Sequence, residues 1–167
     1  MKFVSSSAQR ISKTVALGVL LLAPFGGEAR GAAAADHAWF PDPIEGVWNA
    51  SVEVTNCATG ATIAGLEAMG MFAANGTLHN TDTNNPALGS ASFGHWRHVE
   101  GNEYQFAFRH FRFDAAGAHI GSQIVRHDVF LAADGASYFS EGTSEFFDTP
   151  GNLLFIACSS ATATRFE

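Results

Sequence analysis

The histidines are the residues in this sequence whose chemistry best suits work at neutral pH, and there are seven of them. Histidine titrates near pH 7 and is a common metal ligand. His95 and His98 are three residues apart, so on a strand they lie on opposite faces and would not share one ion. His110, His119 and His127 each stand alone in their runs. The histidines therefore predict no metal site, no axial ligand for haem and no cofactor.

A mixed polar group around residue 126 is a second candidate. Arg126 and Asp128 share one face of their run with the apolar residues Ile120, Ile124 and Phe130. If that face points inward, the pair would form a polar spot that orients a ligand or polarises a carbonyl, with His110 and Arg112 joining from the preceding run. The alternative is a structural ion pair near a rim. The sequence contains no nucleophile-elbow, zinc-protease or phosphate-loop motif.

Aromatic side chains form the third candidate group. The aromatic residues predicted to line a pocket are Trp96, Tyr104, Phe106, Phe108, Tyr138 and Phe155, beside Met69 and Met71. Any of them is equally compatible with ordinary core packing. The six aromatic residues, together with His110 and Arg126, are the predicted ligand-binding set.

The elements that must position these residues are predicted to be strands. The chain has 17 Gly and 15 Phe but few charged residues, and turn signals such as Asn75-Gly76 separate alternating runs. We predict strands at 46–56, 66–74, 77–83, 93–100, 103–113, 119–131, 136–147 and 153–166. The fold prediction is an all-β, eight-stranded antiparallel up-and-down barrel over 46–167, after a lead-in at 36–45.

The last predicted strand has an unusual face made of small residues. The residues of this face are Phe155, Ala157, Ser159, Ala161 and Ala163. Such a wall would leave space inside a barrel unless bulky neighbours fill it.

Residues 1–35 are predicted to be a signal peptide. Lys2, Arg10 and Lys13 precede an apolar run of roughly 12 residues, which is shorter than the roughly 20 that span a bilayer. The expected location is secreted or periplasmic, with no membrane attachment after cleavage. Without this segment the net charge changes from −7 to −10, with 5 basic and 15 acidic residues. So acidic a chain is not expected to bind nucleic acid.

The two cysteines predict a disulfide at the closure of the barrel. In an exported protein an isolated pair is expected to be bonded. Cys57 follows the first strand and Cys158 lies in the last, and these strands are neighbours in a closed barrel. If the cysteines lie opposite each other, Trp48 lies opposite Glu167 and diagonal to Arg165.

Short motifs at the two ends of the barrel sequence resemble a known family. Gly46-Val47-Trp48 opens the first strand and Arg165 ends the last, which resembles the lipocalin Gly-x-Trp motif and its late arginine. With Cys57 and Cys158, the chain is similar to small exported bacterial lipocalin-like (calycin-type) proteins of uncharacterised function. The resemblance implies that Gly46, Trp48 and Arg165 seal one barrel end. The chain is shorter than a typical lipocalin, so ligand choice does not transfer.

The function predicted from these features is a monomeric exported barrel that binds a small apolar or amphipathic molecule in its lumen. A binding protein is favoured over an enzyme. The first alternative is a cyclase or isomerase that folds its substrate in the cavity, as barrels resembling allene oxide cyclase do. The second is a cell-envelope interaction module whose barrel is filled.

Overall fold

The protein, described by a computed structural model over residues 41–166, is a closed antiparallel β-barrel in that part of the chain. The predicted signal peptide and residues 36–40 of the lead-in lie outside the described residues. The strands are β1 (Gly46–Thr55), β2 (Thr62–Phe72), β3 (Thr77–Asp82), β4 (Ser92–Glu100), β5 (Glu103–Phe113), β6 (His119–Leu131), β7 (Ser137–Phe147) and β8 (Leu153–Arg165). Each strand pairs with the next and β8 pairs with β1, which confirms the predicted eight-stranded up-and-down barrel. Within 41–166, no helix has the length and apolar character needed to cross a membrane.

The strand bounds agree closely with the predicted ones except at β2. That strand begins at Thr62, four residues before the predicted position 66. Its first four residues are exposed, so their sequence carries no alternation of buried and exposed positions. Pairing with β1, which runs from Gly46↔Phe72 to Thr55↔Thr62, is what makes them a strand.

The seam between β1 and β8 has a different register from the predicted one. Trp48 pairs directly with Arg165 and Thr55 with Cys158, so the predicted pairing of Trp48 with Glu167 is wrong. Cys57 lies beyond the end of β1, in the turn that follows it, and its disulfide to Cys158 joins Cα atoms 4.9 Å apart. The predicted disulfide is therefore confirmed. The register shift is two residues, so the side chains keep their predicted faces.

The lumen is filled at one end, which we call the base, where the β2–β3, β4–β5 and β6–β7 turns lie. Twelve buried residues form one cluster, and its largest members include Ile44, Trp48, Phe72, Trp96 and Tyr138. Trp48 packs edge-on against Tyr138 with ring centroids 5.0 Å apart. Trp48 and Ile44 are completely buried, and such burial contributes about 1.5–3 kcal/mol for each large apolar side chain.

Arg165 covers the base from outside. Its guanidinium carbon lies 4.4 Å from the ring centroid of Trp48, a cation–π contact of about 0.5–2 kcal/mol. The guanidinium also donates hydrogen bonds to three backbone carbonyls, at Pro43, Glu45 and Gly135. One side chain thus joins the lead-in, the β6–β7 turn and the first strand.

Gly46 is required by the position of that arginine. Its φ of +132° is a conformation that other residues rarely adopt, and an added Cβ would lie 2.7 Å from Nη1 of Arg165. Trp48 is fixed in turn because its indole Nε1 donates to the carbonyl of Ile44 at 2.9 Å. These contacts hold Gly46, Trp48 and Arg165 together at the base, and a sealing role for the three stays a prediction.

Candidate functional site

The other half of the lumen is hollow. The cavity lies between the base and the opposite end, the mouth, where the β1–β2, β3–β4, β5–β6 and β7–β8 loops lie. Centres of water molecules can occupy about 90 Å³ of it. Its apolar wall includes Val52, Val54, Leu66, Ala68, Phe108 and Val125. The small-residue face of β8 points inward, with Ala157, Ser159, Ala161 and Ala163 all buried, and this helps to leave the space open.

The inner end of the cavity carries a buried histidine with two serine partners. Nδ1 of His127 lies 2.9 Å from Oγ of Ser140, and Nε2 lies 2.8 Å from Oγ of Ser159. Oγ of Ser144 lies 3.4 Å from Oγ of Ser159, which extends the group by one hydroxyl. The imidazole stacks on Phe106 with centroids 5.1 Å apart. Both ring nitrogens are therefore satisfied by side chains of β7 and β8.

His127 is neutral at physiological pH. Burial lowers its pKa to about 4, against a weaker opposing effect of the Asp128 carboxylate. Because the neutral ring has one donor nitrogen and one acceptor nitrogen, one serine accepts its proton and the other donates. Among the described residues, serines rather than a carboxylate orient the imidazole.

The outer end of the cavity carries a second histidine in a different situation. Nδ1 of His110 is buried and has no hydrogen-bond partner among the described residues. Burial is the main effect that lowers the pKa of His110; the carboxylate of Asp82 opposes it and the guanidinium of Arg112 adds to it. A neutral imidazole thus lines the cavity, and its Nδ1 is enclosed by the protein.

His110 also lines a second recess that opens at the mouth. This recess has about 300 Å³ for the centres of water molecules and lies under the β3–β4 connection. The four side chains that line both spaces are Asp82, Asn84, His110 and Gln123, and we call them the gate. The gate therefore separates the luminal cavity from the recess at the mouth.

The β3–β4 connection is attached to β5. The backbone N–H of Ser90 donates to the carbonyl of Phe111 at 3.0 Å, and that of Phe113 donates to the carbonyl of Leu88 at 2.9 Å. Gly89 forms a bridge with Arg112. The connection therefore extends the wall beside His110.

Arg126 does not face the lumen, contrary to the prediction. The inward residues of β6 are Val125, His127, Val129 and Leu131, whereas the side chain of Arg126 is 53% exposed and lies 3.5 Å from Glu145. Asp128 likewise lies outside, where it accepts a hydrogen bond from Gln105. A bulge between Arg112 and Phe113 shifts the β5–β6 register, so His127 pairs with the inward Phe106.

The other predicted ligand-binding residues fall into three groups. Phe106, Phe108, His110 and Tyr138 line the cavity. Trp96 and Tyr104 belong to the core at the base, where Nε1 of Trp96 donates to the carbonyl of Ala73. Phe155 is 51% exposed at the mouth and stacks on Phe146 with centroids 4.2 Å apart.

Of the polar residues in the cavity wall apart from Tyr138, the sequence predicted a ligand-binding role for His110 alone and none for His127, its serine partners, Asp82, Asn84 or Gln123. His127 lies between Val125 and Val129 on one face of β6, and all three are buried. Assigning that face of the strand to the lumen would have identified His127. Asp82 ends the short strand β3 and Asn84 follows it, and at a strand end the sequence does not indicate which way a side chain points. Within 41–166, no three His, Cys, Asp or Glu side chains are grouped to hold a metal ion.

No protein-family model matches this chain, and no curated protein matches it in sequence. Among solved structures, it is similar to the one titled "Crystal Structure of Rv2717c from M. tuberculosis". The two share 9% sequence identity with a TM-score of 0.38, over 75% of this chain and 94% of the other. At these values nothing about ligand or activity transfers from that protein.

Proposed function

We propose that this protein is an exported barrel that binds a small apolar or amphipathic molecule in its lumen. The observation that carries the proposal is the hollow half of the lumen, a largely apolar cavity whose wall also includes His110 and His127. A largely apolar pocket with a few convergent polar groups is typical of small-molecule sites. The disulfide supports export, because such bonds persist in oxidising compartments.

Native mass spectrometry of gently purified protein tests the proposal. We expect a bound small molecule that is released on denaturation. The variant A161L narrows the cavity from β8, where Ala161 is 7% exposed, and is expected to reduce the bound fraction at least about tenfold. The matched control T162L changes the neighbouring residue on the outer face. Protein that is always empty, with A161L and T162L behaving alike, would reject luminal binding.

A cavity-templated isomerase or cyclase is the second candidate, because His127 and Ser159 lie together in the cavity wall. A neutral imidazole that shares a proton with a hydroxyl is able to move protons on a confined substrate. Incubation of the protein with an extract of its source, followed by mass spectrometry, would reveal an isomeric product. H127Q would abolish this product while the substrate still binds; unchanged turnover by H127Q would exclude a role for His127.

A further inference from the structure

The first residues of β8 have a neighbouring strand on one side only. β8 begins at Leu153, but its pairing with β1 extends only to Cys158, which lies opposite Thr55. Residues 153–157 therefore pair with β7 alone and extend past the end of β1. The side chains from Leu153 to Ile156 are each about half exposed, so the turn that follows β1 does not cover them. We call residues 153–157, which lie at the mouth, the open edge.

Leu153 directs its backbone groups to the unpaired side of β8. In an antiparallel ladder, residue pairs that exchange hydrogen bonds alternate with pairs that do not. The N–H of Asp148 donates to the carbonyl of Asn152, so the next pair, Phe147 with Leu153, is one without hydrogen bonds. The N–H and C=O of Leu153 therefore point away from β7.

Ile156 also directs its backbone groups to the unpaired side. The N–H of Phe166 donates to the carbonyl of Val47, and the β1–β8 register is regular, so the even-numbered residues of β8 face the β1 side. At Ile156, however, β1 has already ended. In the described part of the chain, no turn or loop backbone forms a hydrogen bond with Leu153 or Ile156. The open edge thus presents N–H and C=O groups at two positions.

A further strand fits this edge better than a lipid surface does. Residues 153–157 are Leu-Leu-Phe-Ile-Ala, without the charges or proline that protect many strand edges from pairing. In hydrocarbon, the N–H and C=O groups of the open edge would be left without hydrogen bonds, which is unfavourable. An added strand would supply those bonds and cover the apolar side chains as well.

A bulge in β8 makes a second copy of this chain the best-matched strand. Phe146 pairs with Phe155 but Phe147 pairs with Leu153, so Leu154 is an extra residue. The two open positions are therefore three residues apart instead of the two of a regular strand. A regular strand would match only one of them. A second copy, antiparallel about a two-fold axis, has the same bulge and matches both.

We propose that the open edge pairs with the open edge of a second copy, so that Leu153 of each copy lies opposite Ile156 of the other. The two residue pairs would form about four backbone hydrogen bonds. Glu145 lies beside Ile156 on β7, and its carboxylate is next to the guanidinium of Arg126, so little net charge opposes the contact. This dimer differs from the monomer expected from the sequence, and it does not depend on what the lumen binds.

Sedimentation velocity over a range of protein concentrations tests the dimer. Wild-type protein is expected to form a dimer that dissociates on dilution, because so short an edge is smaller than a standard interface of about 800 Å² per partner. I156K should weaken dimerisation at least about tenfold, since it places a charge in the new ladder. Lysine also reduces the net negative charge, so a general charge effect would strengthen association instead. The matched control F139K alters a similarly exposed, outward-facing residue of β7 and should dimerise like wild type.

Hydrogen exchange of the wild-type protein provides a readout that needs no substitution. The amide of Ile156 should exchange at least about tenfold more slowly at high protein concentration than at low, whereas that of Gly135, in a turn at the base, should not change. A monomer at every concentration, or a dimer that I156K leaves intact, would overturn the proposal. Monomeric protein that binds phosphatidylcholine vesicles and loses this binding in I156K would assign the edge to a membrane and overturn it as well.

Discussion

Two histidines line the same lumen, and their surroundings are opposite. His127, at the inner end, has a serine on each ring nitrogen and a phenylalanine against its face. His110, at the gate, has a buried Nδ1 that no residue within 41–166 contacts by a hydrogen bond, and a recess beside it that opens at the mouth. Burial lowers the pKa of both, so both are neutral at physiological pH. The two histidines therefore have the same charge, and they differ in whether their ring nitrogens are hydrogen-bonded.

The difference separates a histidine that side chains of the barrel hold in place from one whose Nδ1 they leave without a hydrogen bond. A satisfied buried polar group costs the fold little and specifies its packing. An unsatisfied one lowers stability and is tolerated where something else supplies the partner. The contrast lies in the neighbouring side chains: Ser159 of β8 is within hydrogen-bond distance of His127, whereas no described side chain is within that distance of Nδ1 of His110.

The largest expected effect is on stability, from H127L. This variant leaves the hydroxyls of Ser140 and Ser159 buried without their imidazole partner. We expect the free energy of unfolding to fall by about 4 kcal/mol, measured by urea denaturation. H127Q keeps a donor and an acceptor and should lose less. Equal stability of H127L and wild type would mean that the serines find other partners and that the inner group is not structural.

Acidification should have the next largest effect, again through His127. Its pKa is lowered from 6.5 to about 4 in the folded protein, so between these values only the unfolded chain takes up the proton. Stability is therefore full above about pH 6.5, falls as the pH decreases, and has lost about 3 kcal/mol below pH 4. The lowered pKa of His110 adds a slope of the same sign. Urea midpoints measured across this pH range should depend much less on pH in H127Q than in the wild type. An unchanged pH dependence in H127Q would assign the effect to other groups.

The smallest expected effect on stability comes from H110L. Leucine removes an unpartnered nitrogen, so the free energy of unfolding of the empty protein should change by less than about 1 kcal/mol or increase. Thermal unfolding of ligand-free protein, compared with H95L at an exposed position of β4, measures this. A loss as large as that of H127L would show that His110 has a structural role, and the contrast between the two ends would disappear.

Most of the fold was predictable because turns, and the alternation of buried and exposed residues along a strand, depend on residues that are close in the sequence. Asn75-Gly76 illustrates this: Gly76 has a φ of +79° and its N–H donates to the carbonyl of Ala73, as its turn residues suggest. The register at the closure was not local. Cys57 and Cys158 indicated which strands meet, but the disulfide starts from a turn, so it fixed the pairing only to within two residues.

The site was harder to predict because both faces of β6 carry apolar residues. Phe130 points outward and is 38% exposed, whereas Val129 points inward and is completely buried. Composition does not distinguish two such faces, and the bulge after Arg112 decides which one is inside. Arg126 was therefore assigned to the lumen and His127 was not. Phe106, Phe108 and His110 were assigned to the lumen because their strand has one clearly apolar face.

The seam between β1 and β8 is fastened at both ends and thinly packed between them. Arg165 over Trp48 holds it at the base, the disulfide holds it at the mouth, and the inward side chains of β8 between them are alanines and a serine. Reduction would release one fastening only. Amide protons near Thr55 and Cys158 would then exchange with deuterium first, exchange would advance toward Trp48, and the base would be protected longest. The barrel would open along one line from the mouth, beginning beside the cavity.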